Sequence, residues 1–279
     1  MLRTMITATN TLGQLQSQID TISNNISNSN TAGYKANEAT FSEHLYQQFN
    51  NEEMDRTVRN SPVGIRYGVG AYIGQIQTNF SQGSLQTTNR DLDLAFTKEK
   101  QYFNILMPNG EDGQRLVYSR QGDFYVTPVE NGQVMLVNGD GYPVADSNGN
   151  AIYFPDNVTD FNLTNDGTLR VNLSDGETLN FELGVTELHT PQLLEHVSGT
   201  YIALPANFDE LGYNEEDVLT NLQGGARVNI GMMNGALESS NVDLSTEMTN
   251  LINAQRNYQF NSRAISIADQ MLGLINGIR

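Results

Sequence analysis

Apolar residues near the start of the chain recur at alternating steps of three and four: Met5, Ala8, Leu12, Leu15, Ile19, Ile22 and Ile26. That heptad spacing places them on one narrow stripe of an amphipathic helix, whose other faces carry Thr, Gln, Ser and Asn. Such a stripe is not stable alone in water, because nothing covers it, so a partner helix is required. The far end of the chain supplies a candidate. Leu251, Ala254, Tyr258, Asn261, Ile265, Ala268, Leu272 and Ile275 step in the same way, with Asn261 the one polar residue among them. Asn241 or Asp243 is placed to cap this second helix, and Glu247 falls in its first turns, where negative charge suits the helix dipole. The spacing does not decide whether the partner belongs to the same chain or to another copy. An ordinary helical hairpin closing a globular domain is the plain alternative.

Between the two ends the period changes. Asn109-Gly110, Asn131-Gly132, Asn138-Gly139, Asn148-Gly149, Asp166-Gly167 and Asp175-Gly176 are strong turn dipeptides. Short strand-like runs lie between them at 116–118, 124–126, 134–137, 151–154, 169–171 and 179–183. Turn signals about every ten residues predict an antiparallel sheet or small barrel. From about residue 50 to residue 91 the chain is rich in Gly and Asn, and it reads as extended chain with a hairpin. The fold class expected is α+β: N- and C-terminal amphipathic helices forming a coiled-coil-like assembly domain, with an antiparallel β-rich middle domain. The expected divisions are 1–45 with 240–279 (helical core), 46–95 with 206–239 (extended joining segments), and 96–205 (β-rich).

Composition sharpens the contrast. All seven prolines lie between Pro62 and Pro205. Of the net charge of −17, −16 falls on residues 51–239, where 10 basic groups face 26 acidic ones, so the ends are nearly neutral. A surface this acidic repels phosphates, which argues against nucleic acid as a partner. The plain reading of the charge is solubility. No apolar run is long enough to span a membrane, so no membrane insertion is expected. Met1-Leu2-Arg3 leads straight into an amphipathic pattern rather than a signal-peptide core. The chain has no cysteine, which removes disulfides, a thiol nucleophile and thiolate metal sites.

Candidate chemistry is sparse. Asp146-Ser147-Asn148-Gly149-Asn150 begins like a calcium loop, but Ala151 stands where the loop needs Gly and Asn157 where it needs the bidentate acid. His44, His189 and His196 are not at metal-ligand spacing. Neither a nucleophile elbow nor a phosphate-cradling loop occurs. Acid pairs such as Asp91 and Asp93, or Glu215 and Glu216, are weak evidence in so acidic a chain. No catalytic, cofactor or metal residue is assigned, and no cofactor is expected.

A resemblance then emerges from the motifs. Asn24-Asn25-Ile26-Ser27-Asn28 with Thr31-Ala32-Gly33-Tyr34-Lys35 resembles the N-terminal signature of the bacterial flagellar rod and hook family. Gly235-Ala236-Leu237-Glu238-Ser239-Ser240-Asn241-Val242-Asp243 resembles the other end of the same family, as do Gln255-Arg256-Asn257-Tyr258 and Asp269-Gln270-Met271-Leu272. Between them, Gln82-Gly83-Ser84-Leu85, Leu92-Asp93-Leu94-Ala95, Tyr118-Ser119-Arg120-Gln121-Gly122-Asp123-Phe124 and Gly141-Tyr142-Pro143-Val144 are similar too. The motifs keep the family's order over almost the whole chain. Leu45-Tyr46-Gln47-Gln48-Phe49, followed by 62–76, resembles the distal-rod branch. One departure is the stretch after Ala95, Phe96-Thr97-Lys98-Glu99-Lys100-Gln101, which lacks the family's glycine turn.

The resemblance implies a structural role: a subunit of a hollow helical drive shaft that transmits torque from motor to hook across the cell envelope. On this reading Met5, Leu12, Leu15, Ile19, Ile22, Ile26, Leu251, Tyr258, Ile265 and Leu272 form the assembly interface. Asn24, Asn25, Asn28, Gly33 and Tyr34 end the first helix and turn the chain, Gly33 tolerating positive φ. A plain polar helix terminus is the competing reading of the asparagines. The implied partners are other copies in a helical homo-polymer, other rod and hook subunits, and the flagellar type III export apparatus, without a cleaved signal peptide. The implied location is the basal body outside the cytoplasmic membrane. Phe41 and Leu45 resemble a short export element, though an ordinary i,i+4 helix pair is the plainer reading of that spacing. The alternatives are a proximal rod or hook protein, a hook–filament junction protein, and a wall-cleaving enzyme with rod-like ends.

Overall fold

The computed structural model describes residues 2–43, 47–49, 65–67, 71–109, 113–129, 132–208 and 212–277. The chain divides into two units. One holds Met1–Ser27, Asn37–Gln77 and Asp243–Arg279; the other holds Asn28–Ala36 and Thr78–Val242.

The first unit is built on two long helices, Leu2–Ser27 and Leu244–Gly277. The N-terminal helix is rich in Ser and Thr, residues that compete with helix backbone. Here Thr9, Thr11, Ser17 and Thr21 turn their hydroxyls back onto the carbonyls four residues earlier, so the competition is satisfied within the helix. Its end meets the beginning of the C-terminal helix through Asn25 and Glu247, so the two run antiparallel. The partner for the N-terminal stripe is therefore in the same chain. Strand Asn37–Glu43 pairs with Ala71–Thr78, and Gln47–Phe49 pairs antiparallel with Ile65–Tyr67. Phe41 lies in the first of these strands, which corrects the helix-pair reading of its spacing to Leu45; Leu45 lies outside the described residues.

The second unit is the expected antiparallel β structure. Its main sheet has six strands in the order Glu195–Ser198, Tyr201–Ala203, Gly113–Ser119, Gln101–Asn109, Val185–Leu188, Leu219–Asn221. Two three-stranded sheets accompany it: Tyr153–Pro155, Gln133–Asn138, Phe124–Val129, and the meander Val158–Leu163, Thr168–Leu173, Thr178–Glu182. Two short ladders bring distant chain together, Met232–Asn234 with Leu94–Phe96 and Ala236–Glu238 with Leu85–Thr87. The core is apolar and aromatic, with Phe103 tilted against Phe96 at 4.3 Å and edge-on to Phe124 at 4.9 Å. Gly132, Gly149, Gly167 and Gly176 take positive φ in their turns. At 138–142 the positive φ falls on Gly141 rather than on Gly139, because the Asn138 side chain accepts the Asp140 and Tyr142 amides and organises the loop.

Candidate functional site

The helical pair places the stripe residues in two layers. Ala8, Leu15 and Ile22, one heptad apart, are buried, as are Ala254 and Ala268 on the facing helix, where a small side chain lets the backbones approach. Met5, Leu12, Ile19 and Ile26 are half-buried, and so are Leu251, Asn261, Ile265 and Leu272. Tyr258 and Ile275 are exposed. The seam is thus one residue deep within the chain, and its flanking positions retain accessible apolar surface.

Asn25 locks the ends of the two helices. Its side-chain amide donates to the Asn37 carbonyl at 2.8 Å and to Glu247 Oε1 at 3.2 Å, and its oxygen accepts the Asn37 amide at 2.9 Å. Asn25 is buried, and these bonds all lie within one chain. Asn24 is exposed, and Asn28 accepts the Thr31 hydroxyl at 3.2 Å. Burial pushes the Glu247 carboxyl above its ordinary value, the Asn25 bond opposes that shift, and Glu38 and Asp243 add to it. The cap of the C-terminal helix falls on Asp243, whose carboxylate accepts the Ser245 and Thr246 amides and the Thr246 hydroxyl. The Thr246 hydroxyl bond, then the Thr246 and Ser245 amides, hold that carboxyl below the usual range. Asn241 serves elsewhere: it accepts the Ala36 amide and donates to Asn79 and Ser81.

In the second unit four of the sequence motifs meet at one buried carboxylate. Glu238 Oε1 accepts Lys35 Nζ at 2.5 Å and the Gly83 amide at 3.0 Å. Glu238 Oε2 accepts Arg120 Nε at 2.7 Å, and Arg120 Nη2 lies 2.5 Å from the same oxygen. All three side chains are buried. Lys35 also donates to the Ser81 carbonyl at 2.7 Å. Arg120 Nη1 donates to the carbonyls of Lys98, Glu99 and Gln101 at 2.9, 3.1 and 2.8 Å, so its guanidinium closes the turn that lacks the family's glycine. Burial lowers the Lys35 pKa, and Glu238 opposes that shift. Two cations thus share one anion in a low-dielectric interior.

The backbone around this junction is equally tight. Gly33 has φ +71° and donates its amide to the Glu238 carbonyl at 2.8 Å. A Cβ there would stand 2.5 Å from the Arg120 carbonyl carbon. A Cβ on Gly83 would stand 1.9 Å from the Ser239 carbonyl oxygen. Tyr34 is buried beside them. Asp93 pairs with Arg90 at 2.9 Å, and its carbonyl accepts the Gly235 amide at 2.8 Å, tying the outgoing chain to the returning one.

The triad escaped sequence reasoning because its members are 203 and 118 residues apart. Its one signal was a Lys, an Arg and a Glu, each inside a separate family motif. Elsewhere, Asp146 accepts the Asn148 and Asn150 amides at 2.8 Å each, so the calcium-like loop is a side-chain-capped turn. His189 and His196 bond the hydroxyls of Thr220 and Thr78. Among the described residues no group of three or more His, Asp or Glu could hold a metal, and no helix is long and apolar enough to cross a membrane.

Comparison with known proteins points one way. The flagella basal body rod protein family matches residues 5–35, the flagellar hook protein FlgE/F/G D1 domain matches 98–171, and the flagellar basal body rod FlgEFG protein C-terminal family matches 233–278. The flagellar hook-basal body complex protein FlhP of Bacillus subtilis (strain 168) is 45% identical over 289 residues, spanning 100% of both chains. The flagellar basal-body rod protein FlgG of the same organism is 30% identical over 273 residues, 98% of this chain and 97% of its own. FlgG of Borreliella burgdorferi is 30% identical over 283 residues, 100% and 99%.

Proposed function

The chain belongs to the bacterial flagellar basal-body rod family, and from that premise we propose that it polymerises into the distal part of a hollow rod carrying torque from motor to hook. It is a structural rod subunit of the flagellum basal body. The observation that carries the polymer reading is the helical pair. Termini more than 200 residues apart in sequence form one antiparallel unit whose seam is a single residue deep, leaving half-buried Met5, Leu12, Ile19 and Ile26 along its flank. Copies meeting through unlike surfaces make contacts that do not close, which builds a helical filament. The half-buried apolar positions are the surface offered to neighbours.

Locating an epitope-labelled copy in purified basal bodies tests this directly: label at the rod is expected, and label confined to the hook refutes it. Export through the flagellar type III apparatus without a cleaved signal peptide belongs to the same proposal, with Phe41 and Leu45 as its candidate recognition element. Replacing both with Ala should trap the subunit in the cytoplasm, and normal secretion excludes the element. The proposal assigns no covalent chemistry. Asp91, Glu215 and Glu216 are exposed, and their amides should support normal swimming. Loss of wall cleavage by one such amide variant with rods intact would establish an enzyme instead.

A further inference from the structure

Glu238 carries one negative charge, and two buried cations meet it. The Lys35 and Arg120 side chains are 8% and 2% exposed, and among the described residues no other carboxylate pairs with either. The junction is therefore one negative charge short in a region where uncompensated charge is costly. The offsets are partial. The carbonyls of Ser81, Lys98, Glu99 and Gln101 supply dipoles. The Phe96 and Tyr102 rings flank the guanidinium at 5.4 and 5.6 Å and supply a quadrupole but no formal charge. Burial still holds the Lys35 pKa below its ordinary value and Arg120 adds to that shift, against the opposing pull of Glu238 and the exposed Glu99. The surroundings thus continue to disfavour positive charge.

A small cavity opens on this excess. Lys35, Arg120, His196 and Thr200 line it together with the rings of Phe80 and Tyr102, and its volume of about 10 Å³ is room for one water-sized particle. Donors beside it are unspent. Arg120 Nη2 touches Glu238 Oε2 at 2.5 Å but makes no hydrogen bond, although buried donors normally find a partner. Lys35 Nζ has three N–H groups and bonds two acceptors, the Ser81 carbonyl and Glu238. His196 adds no charge: burial lowers its pKa, and its Nε2 lies 2.8 Å from the Thr78 hydroxyl.

We infer that this cavity binds one small monovalent anion, a chloride ion, beside Lys35 and Arg120. The anion brings the junction to neutrality, with two cations facing Glu238 and the bound ion. It also gives the spare N–H groups an acceptor, and a charge-assisted bond is stronger than one to water. A water molecule would fill the space without supplying the missing charge. Sulfate and gluconate exceed the space. Chloride is slightly larger than water, and the half-buried Phe80 and Thr200 side chains give way to admit it. The site lies wholly within the β unit, so the inference stands apart from the rod reading and is tested on purified, unassembled chain.

Thermal melts of the full-length chain in sodium chloride and in sodium gluconate, at equal ionic strength, separate a bound ion from general screening. At a chloride concentration about tenfold above Kd, the β unit should melt about 3–6 °C higher in chloride. The Lys35 ¹³Cε resonance should titrate at higher pH in chloride than in gluconate, because a bound anion favours the protonated amine. Lys35→Met leaves Arg120 and Glu238 as a balanced pair, so the difference between the two salts should vanish in that variant. Wild-type melts that coincide in the two salts overturn the inference and leave the cavity to water. A difference that persists in folded Lys35→Met, or one that leaves the Lys35 titration unmoved, overturns it too by placing the effect at another site. The titration is read in wild type, so it decides even where the variant does not fold.

Discussion

Glu238→Gln removes one negative charge from the point where four motifs meet, and its cost follows from the contacts. The side chain is 1% exposed and is ion-paired with both Lys35 and Arg120, which share its single negative charge. The amide keeps the shape but sets an NH2 group against one cation and only a neutral carbonyl oxygen against the other, leaving both without an anion in the interior. Removing one partner of a buried ion pair costs about 3–5 kcal/mol. That is a large part of the roughly 5–15 kcal/mol that holds a domain folded. For a unit of this size about 2–4 °C accompanies each kcal/mol, so the β unit should melt about 6–20 °C lower. The pH dependence adds a second signature. Burial lowers the folded-state pKa of Lys35 beneath its ordinary 10.5, and Glu238 is the main opposing influence. Without Glu238 the folded pKa falls further. The unfolded chain then binds more protons than the folded one between that depressed value and 10.5, so stability rises with pH across that window. Thermal melts of purified Glu238→Gln from pH 7 to 10 should show a transition well below wild type that recovers upward with pH more steeply than in wild type. Adding Lys35→Met should recover part of the loss at neutral pH. A variant melting within about 2 °C of wild type, or one that weakens as pH rises, would refute the claim that this carboxylate holds the junction together.

Ile22→Asp puts a carboxylate into the buried seam between the helices, where its desolvation costs several kcal/mol or more; amide exchange should show both helices unprotected while the β unit stays protected, and retained helix protection would contradict the seam. Ile19→Asp, at a half-buried flank position, should leave the subunit folded yet abolish rods in electron micrographs of basal bodies. Glu247 has a folded pKa above its ordinary 4.5, so the folded state binds more protons and the helical unit weakens as pH rises from 4.5 through the raised value; Glu247→Gln should flatten that slope in helix content followed by circular dichroism, and an unchanged slope places the titration elsewhere. Gly33→Ala meets both a positive φ and the Arg120 carbonyl, so it should cost more than the roughly 1 kcal/mol of a left-handed residue alone; a melt equal to wild type would mean the turn relaxes freely.

What the sequence determined by itself is whatever depends on near neighbours. The 3-4 spacing from Met5 to Ile26 and from Leu251 to Ile275 specifies helices and which residues share a face, because side chains three and four apart lie together whatever lies beyond, but not how deeply each is covered: Tyr258 and Ile275 stay exposed. Asp243 as cap and most of the Asn-Gly and Asp-Gly turns are equally local. The tertiary structure decided what depends on chain segments far apart. It placed the partner of the N-terminal stripe in the same chain, a choice that periodicity leaves open because a heptad seam accepts a helix from any source. It used Asn25 to hold Asn37 and Glu247, assigned Asn241 to Ala36 instead of a helix cap, and put Phe41 in a strand whose extended form comes from pairing rather than from its own spacing. Above all it gathered Lys35, Arg120 and Glu238, three charged residues unremarkable in their own motifs, because only a folded chain can bring groups so far apart within reach and remove the water that would otherwise screen them.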